Sequence, residues 1–222
     1  MSGNVMTVDE NRSGRASGQD VYVIDDDGDV RQSLHFLLGA SLIRVWPFTA
    51  ARDFLDMLPT LKPAPILLDF RMPRMDGLQL LHELRRREIT WPVIMMTAHG
   101  DIATAVCSIK LGAIEFLEKP FKSELLNSAL ASAFELLSSL ESEDASRLSA
   151  RLLLASLSAR EHDVIAILLE GAPNKVAAHR LNLSVRTVEM HRKNAHTKLG
   201  VRSVAEVAAL VAAAGQPYPP PT

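Results

Sequence analysis

Cysteine is almost absent from this chain: Cys107 is the single thiol among 222 residues. One thiol excludes an internal disulfide framework and a multi-cysteine metal site, and its apolar neighbours on an expected helix read as a packed thiol in a reducing compartment. Long apolar runs are missing too. Nothing approaches the roughly 20 residues that span a bilayer, and residues 1–18, MSGNVMTVDENRSGRASG, lack the apolar stretch of a signal peptide. A soluble cytoplasmic protein with no membrane partner is expected. Aromatic residues make up only 5% of the chain, yet 47% is hydrophobic and 23% charged, which excludes a disordered polyelectrolyte and a collagen-like repeat. No internal repeat is present.

What is there divides in two. A chain of this length fits two domains of ordinary size. The net charge of -2 hides an asymmetry: residues 157–222 hold eight Lys or Arg against five Asp or Glu, +3, which leaves -5 for the rest. A basic C-terminal module suggests an anionic partner such as nucleic acid.

Residues 20–124 alternate short β-rich runs (21–24, 43–46, 66–68, 93–97 and 113–117) with helical stretches (29–40, 50–57, 77–88, 101–112 and from 122). That pattern predicts a five-stranded doubly wound parallel sheet with helices on both faces, and the nearly all-apolar strands agree with two covered faces. Ligands of such sheets bind beyond the carboxyl ends of the strands. Those ends carry Asp25, Asp26 and Asp27, then Asp69 in LLDFRMPRMDG, Thr97 in MMTAHGD, and Lys119-Pro120 in FLEKPF. Two or three carboxylates with a carbonyl and water make the oxygen site that Mg²⁺ favours. Beside such an ion Asp69 has the makings of a phosphoryl-accepting nucleophile, with Thr97 and Lys119 placed to bind phosphoryl oxygens.

Simpler readings exist for the parts. Asp25 to Asp27 alone would read as a solvated turn, and Phe116 alone as core. Asp25-x-Asp27 also matches the nucleophile motif of haloacid-dehalogenase-type phosphatases, a Mg²⁺-dependent alternative that leaves DFRMP unexplained. An EF-hand fails because its turn glycine would fall at Val30.

Together, VIDDD, LLDFRMPRMDG, MMTAHGD and FLEKPF resemble the receiver domain of two-component response regulators, with the flavodoxin-like fold this implies. The TAHGD form places the resemblance in the FixJ/NarL branch, on its FixJ side. It implies that Asp69 is the phosphoacceptor and that Asp25, Asp26, Asp69 and the Arg71 backbone carbonyl hold Mg²⁺. It also implies that Thr97 and Phe116 form a switch pair, and that Lys119 contacts phosphate and precedes a cis peptide bond. Phe116 stands where many receivers have Tyr. The 18-residue N-terminal extension has no counterpart in the pattern.

From Leu125 the helical pattern continues, and Leu126, Leu130, Ala133, Leu137 and Leu140 form a heptad seam. Its first turns read as a stripe packed on the sheet; beyond Leu137 a linker helix that pairs with a second copy is expected. Four helices follow, over 159–170, 174–181, 185–199 and 203–213, with Asn174 and Ser184 as N-caps and Gly171 as a C-cap. The expected layout is a disordered tail over 1–18, a receiver over 19–124, a helical linker over 125–156, an all-α four-helix module over 157–214 and a disordered tail over 215–222.

At about 100° per residue, Arg186, Glu189, Met190, Lys193 and Thr197 share one face of the third of these helices, opposite Val188, Ala195 and Leu199. That division suits a recognition helix in the major groove. His191, at the margin, reads as a structural histidine. The segment from LSAREHD to KLGVRS resembles the LuxR-type helix-turn-helix. The resemblance implies that Glu189, Met190 and Lys193 face base edges, with Arg186 and Thr197 on the same face, while Lys175, Arg192 and Lys198 meet phosphates. The expected partners are a cognate sensor histidine kinase, a double-stranded DNA operator, a second copy of the chain on phosphorylation, and RNA polymerase. A constitutive DNA-binding protein using its receiver only to dimerise is the other alternative.

Overall fold

The computed structural model describes residues 19–98, 102–215 and 217–221. Residues 1–18, His99, Gly100 and Asp101 of the MMTAHGD stretch, Gln216 and Thr222 lie outside the described residues, and with them the expected N-terminal tail. The chain forms two compact units that divide after Ser138.

The first unit alternates strand and helix: β1 (Asp20–Ile24), α1 (Gly28–Gly39), β2 (Arg44–Phe48), α2 (Ala51–Met57), a short 3-10 turn, β3 (Ile66–Asp69), α3 (Gly77–Arg86), β4 (Val93–Thr97), α4 (Ile102–Lys110), β5 (Glu115–Glu118) and the start of α5 (Ser123–Ala155). The strands are all parallel in the order β2-β1-β3-β4-β5. Alternation along β1 sends Tyr22 and Ile24 into one core with Phe54, Leu68 and Leu80, and Val21 and Val23 into the other with Leu38, Ile94 and Leu126. Both faces are therefore covered, which is why the strands lack polar alternation. The winding reverses between β1 and β3, so the carboxyl ends of these two neighbours open a crevice. Asp25 follows one of them and Asp69 ends the other.

The turn after β3 is fixed by α3. Asp76 caps the helix by accepting from the Gln79 N–H at 2.8 Å, while the Gln79 side chain accepts from the Asp76 N–H at 3.0 Å. The Gly77 N–H then donates to the Phe70 carbonyl at 2.9 Å. A Cβ on Gly77 would stand 2.4 Å from the Asp69 carbonyl oxygen, so helix and strand end meet backbone to backbone.

α5 runs unbroken for 33 residues, roughly 50 Å at 1.5 Å per residue. The heptad seam divides where expected: Leu126, Leu130 and Ala133 are buried in their own sheet's core, and of the seam residues beyond them Leu137 and Leu140 are half-buried. Cys107 is corrected. It is exposed, because Ser108 takes the buried position on α4.

The second unit comprises the end of α5 and four helices: α6 (Ala159–Leu169), α7 (Asn174–Leu181), α8 (Val185–Leu199) and α9 (Val204–Ala214). Ser158 and Glu161 form a capping box on α6, and Ser184 caps α8 by accepting from the Thr187 N–H at 3.1 Å. Gly171, at φ +84°, follows the end of α6 in the left-handed region. Asn174 is not the cap of α7. Pro173 holds the extended conformation before that helix, Asn174 is already helical, and its Oδ1 accepts from Arg192 instead.

The expected disordered tail also differs at Tyr218, whose ring stacks on His162 with centroids 4.6 Å apart and planes 13° apart. This placement buries the phenol enough to push its pKa up to about 12.

Gly77→Ala tests the contact beneath the acidic crevice. Forcing a methyl against the strand backbone should destabilise the receiver unit by about 1–3 kcal/mol, read as a lower urea midpoint. An unchanged midpoint would show that the turn relaxes freely.

Candidate functional site

Asp25 and Asp69 are buried, at 1% and 6% exposure, while Asp26 faces solvent. One carboxylate oxygen from each of the three lies within 4.8 Å of the others. Such crowding needs positive charge. Lys119 Nζ supplies it by donating to Asp25 Oδ2 at 2.6 Å and Asp69 Oδ1 at 2.5 Å. The remaining oxygens are held by backbone: the Asp27 N–H donates to Asp25 Oδ1 at 2.9 Å, and the Arg71 N–H to Asp69 Oδ2 at 2.8 Å. Arg31 Nη1 donates to the Asp25 carbonyl at 2.6 Å, and Asp27 is spent as the N-cap of α1.

Burial is the main cause that raises the Asp69 pKa; the bond and charge of Lys119 oppose it, and the charge of Asp25 adds to it. For Lys119 burial pulls downward, but the two carboxylates outweigh it and the pKa is raised. One ammonium bonded to two of the three carboxylates leaves the cluster short of positive charge. The oxygen-only donor set fits a hard divalent cation such as Mg²⁺.

Thr97, 1% exposed, ends β4 and pairs in register with Glu118. Its carbonyl accepts from the Lys119 N–H at 2.6 Å, which places the lysine at the crevice. The Lys119-Pro120 peptide is cis. Phe116 lies opposite Met95 and is half-buried against the core on that sheet face.

In the second unit Arg186, Glu189, Met190, Lys193 and Thr197 all lie exposed on α8, while Val188, Ala195 and Leu199 are buried. His191 is half-buried at the margin, and Lys175 is exposed on α7. Two candidates are partly committed. Thr197 Oγ1 donates to the Lys193 carbonyl at 3.0 Å, and Lys198 Nζ donates to Glu161 Oε2 at 2.6 Å. Lys198 therefore also tethers α8 to α6 while its side chain stays 42% exposed. Sequence reading missed Glu161, Asn174 and Arg31 as its partners' holders, because each acts across elements; the Ser158-x-x-Glu161 spacing signalled only the cap.

Residues 21–131 match the response regulator receiver domain family, and residues 155–211 match the luxR family of bacterial regulatory proteins. The chain is 39% identical over 195 residues to the transcriptional regulatory protein FixJ of Bradyrhizobium diazoefficiens, covering 88% of this chain and 95% of that one. This chain is a FixJ-type response regulator. It is also 38% identical over 190 residues to the C4-dicarboxylate transport transcriptional regulatory protein DctR of Rhodobacter capsulatus, covering 85% and 96%. Among solved structures, the response regulator StyR matches with a TM-score of 0.78 at 35% identity, covering 88% of this chain and 99% of StyR. Full-length FixJ from B. japonicum matches at 0.57 and 38%, covering 90% and 98%. Among the described residues no helix is long and apolar enough to cross a membrane.

The Glu161–Lys198 pair gives this response regulator a pH signature. Burial pushes the Glu161 carboxyl up, but Lys198 and the Ser158 N–H and hydroxyl outweigh it and hold the pKa below its usual value. A lowered folded pKa means stability that is fully present above the unfolded value of about 4.3 and lost as pH falls through the folded one. Wild type should therefore lose effector stability between about pH 5 and pH 3, while Lys198→Met, lacking the partner, starts lower and changes less in that window. Parallel curves for the two proteins, followed by helical signal in urea, would refute the pairing.

Proposed function

We propose that Asp69 accepts a phosphoryl group from a phosphohistidine on a sensor histidine kinase, and that the modified protein dimerises and binds operator DNA to regulate transcription. The observation that carries this is the joining of Asp69 and Lys119 at 2.5 Å inside a cluster of three carboxylates, in one chain with an exposed polar face on a LuxR-type helix. Asp25, Asp26, Asp69 and the Arg71 carbonyl would hold Mg²⁺, which when bound neutralises charge on the phosphoryl oxygens. An Asp69 carboxylate oxygen attacks phosphorus, the P–N bond breaks, and the imidazole leaves and takes up a proton. Lys119 shifts from Asp69 to a phosphoryl oxygen, and the Thr97 hydroxyl donates to another. The protein modifies its own carboxylate rather than turning over an external substrate.

The surface for dimerisation is supported by α4, where Ile102, Val106 and Ile109 step by four and three along one face at 84%, 46% and 49% exposure. Leu125, on the first turn of α5, is 55% exposed. Thr97 moving toward the phosphate and Phe116 turning inward would repack the surface of α4, β5 and α5 for a second copy. Bringing two effectors together raises the effective concentration of the second on paired half-sites. RNA polymerase is the further partner of the DNA-bound dimer. On the DNA, Arg186, Glu189, Met190 and Lys193 face the bases with Thr197 beside them, and Lys175 and Arg192 meet phosphates.

Incubation with a small phosphodonor and Mg²⁺ should give stoichiometric, acid-stable, base-labile labelling of wild type and none of Asp69→Asn. Continuous phosphate release would favour the phosphatase alternative, and no labelling the constitutive DNA-binding one. Labelled wild type should run as a dimer at concentrations where Asp69→Asn stays monomeric. A labelled protein that remains monomeric while its DNA affinity rises would refute dimerisation as the coupling step.

A further inference from the structure

Which effector cations can hold DNA depends on which are already engaged. Lys198 is bonded to Glu161, Arg180 is paired with Glu170, and Arg160 lies 3.6 Å from Asp163. On α7, α8 and the turn into α9, by contrast, Lys175, Arg186, Arg192, Lys193 and Arg202 form no ion pair among the described residues. Three of these five, Arg192, Lys193 and Arg202, line one open groove of about 530 Å³ beside the C-terminal half of α8.

The groove is shaped to keep these charges together. Asn174 Oδ1 accepts from Arg192 Nη1 at 3.5 Å and steadies a half-buried guanidinium from the neighbouring helix. The Arg202 N–H donates to Glu206 Oε2 at 2.9 Å, which fixes the turn and leaves the side chain exposed on the groove wall. His196, also in the lining, adds no further charge there: burial, then the Arg192 cation, lowers its pKa. Glu189 is the one acid in the lining, and it belongs to the base-facing side of α8. Three cations around a small groove repel one another unless an anion enters it. Two guanidinium forks match the paired anionic oxygens of a phosphodiester.

We propose that Arg192 and Arg202 form a phosphodiester subsite at the C-terminal half of the recognition helix, which adds Arg202 to the phosphate contacts expected of Arg192. It rests on the reading that α8 binds duplex DNA. Arg202 is thus a DNA-binding residue outside the recognition helix, and Asn174 a positioning residue that acts through Arg192. Because phosphates carry no sequence, this subsite adds affinity to every duplex alike and sets the register from which Lys193 reads a base.

The test is binding of the phosphorylated full chain to two short duplexes, one of random sequence and one selected by the protein from a random pool, across about 50 to 200 mM salt. Arg202→Ala should flatten the plot of log affinity against log salt by about 0.9 for each effector bound, equally on both duplexes. Arg202→Lys should keep the slope, and Lys198→Met should keep it despite its lower stability. Lys193→Ala should lose about 5- to 150-fold more affinity on the selected duplex than on the random one. Thermal unfolding of Arg202→Ala should match wild type, which separates a lost contact from a damaged fold. A slope unchanged in Arg202→Ala would overturn the subsite and leave DNA binding standing. Wild type that binds neither duplex would overturn both readings.

Discussion

Three carboxylates at the ends of two adjacent strands repel one another, and two of them, Asp25 and Asp69, are almost fully removed from water. A buried carboxylate without a partner is costly, so the surrounding structure is arranged to bring donors to these two. Lys119 reaches both, and it can do so because the Lys119 N–H is bonded to the Thr97 carbonyl at the end of β4. Backbone N–H groups of Asp27 and Arg71 supply the rest. Even the start of α3 serves this arrangement, since Gly77 lets the helix press on the strand end that carries Asp69. The result is a cluster that is held in place yet remains short of positive charge, a state suited to gaining a cation and a phosphoryl group rather than to stability alone.

The effector divides its charges by the same logic in reverse. Glu161, buried, and Lys198, exposed, form an ion pair that holds α6 against α8, and losing the lysine would leave a buried charge unpaired. Cations that face the groove and the outer side of α8 have no such partner. A charge that builds the fold and a charge that binds a ligand are the same residue types, and only the presence of an opposite charge within reach separates them.

That distinction marks where the sequence stops being legible. The sheet, its helices and the convergence of Asp25, Asp26, Asp69 and Lys119 on one edge could be read because strand ends are fixed by local pattern and parallel winding puts all of them on the same side. The two faces of α8 followed from helical period alone, and buried Val188, Ala195 and Leu199 agree with it. The Glu161 partner of Lys198 could not be read, since only the packing of α6 reveals it. Cys107 and Ser108 are adjacent, and a one-residue rotation of α4 decides which is buried. Asn174 and Tyr218 fail for a related reason: a cap preference and a proline-rich composition are local statements, and in each case a side chain from another helix, Arg192 or His162, took precedence.

The proposed coupling between the two sites would start from where the acidic crevice sits in the sheet. Thr97 and Phe116 belong to neighbouring parallel strands, with Thr97 opposite Glu118 and Phe116 opposite Met95, so a hydroxyl at the crevice and a ring two residues back on β5 share one sheet face. Strands about 4.8 Å apart leave no room for one to move without the other repacking. Above that face α4 carries an apolar stripe that its own fold does not cover, so a shift small in ångströms changes a surface already costly to leave in water. Under the proposed mechanism phosphorylation would need no contact with DNA: a coupling of about 1–3 kcal/mol per dimer would give a 5- to 150-fold gain in affinity. A dimer also doubles the number of uncommitted cations that meet the duplex, and counterion release compounds per phosphate contact. In the proposed mechanism the weak net charge of a single effector is sufficient, because the sheet edge would decide when two of them act together.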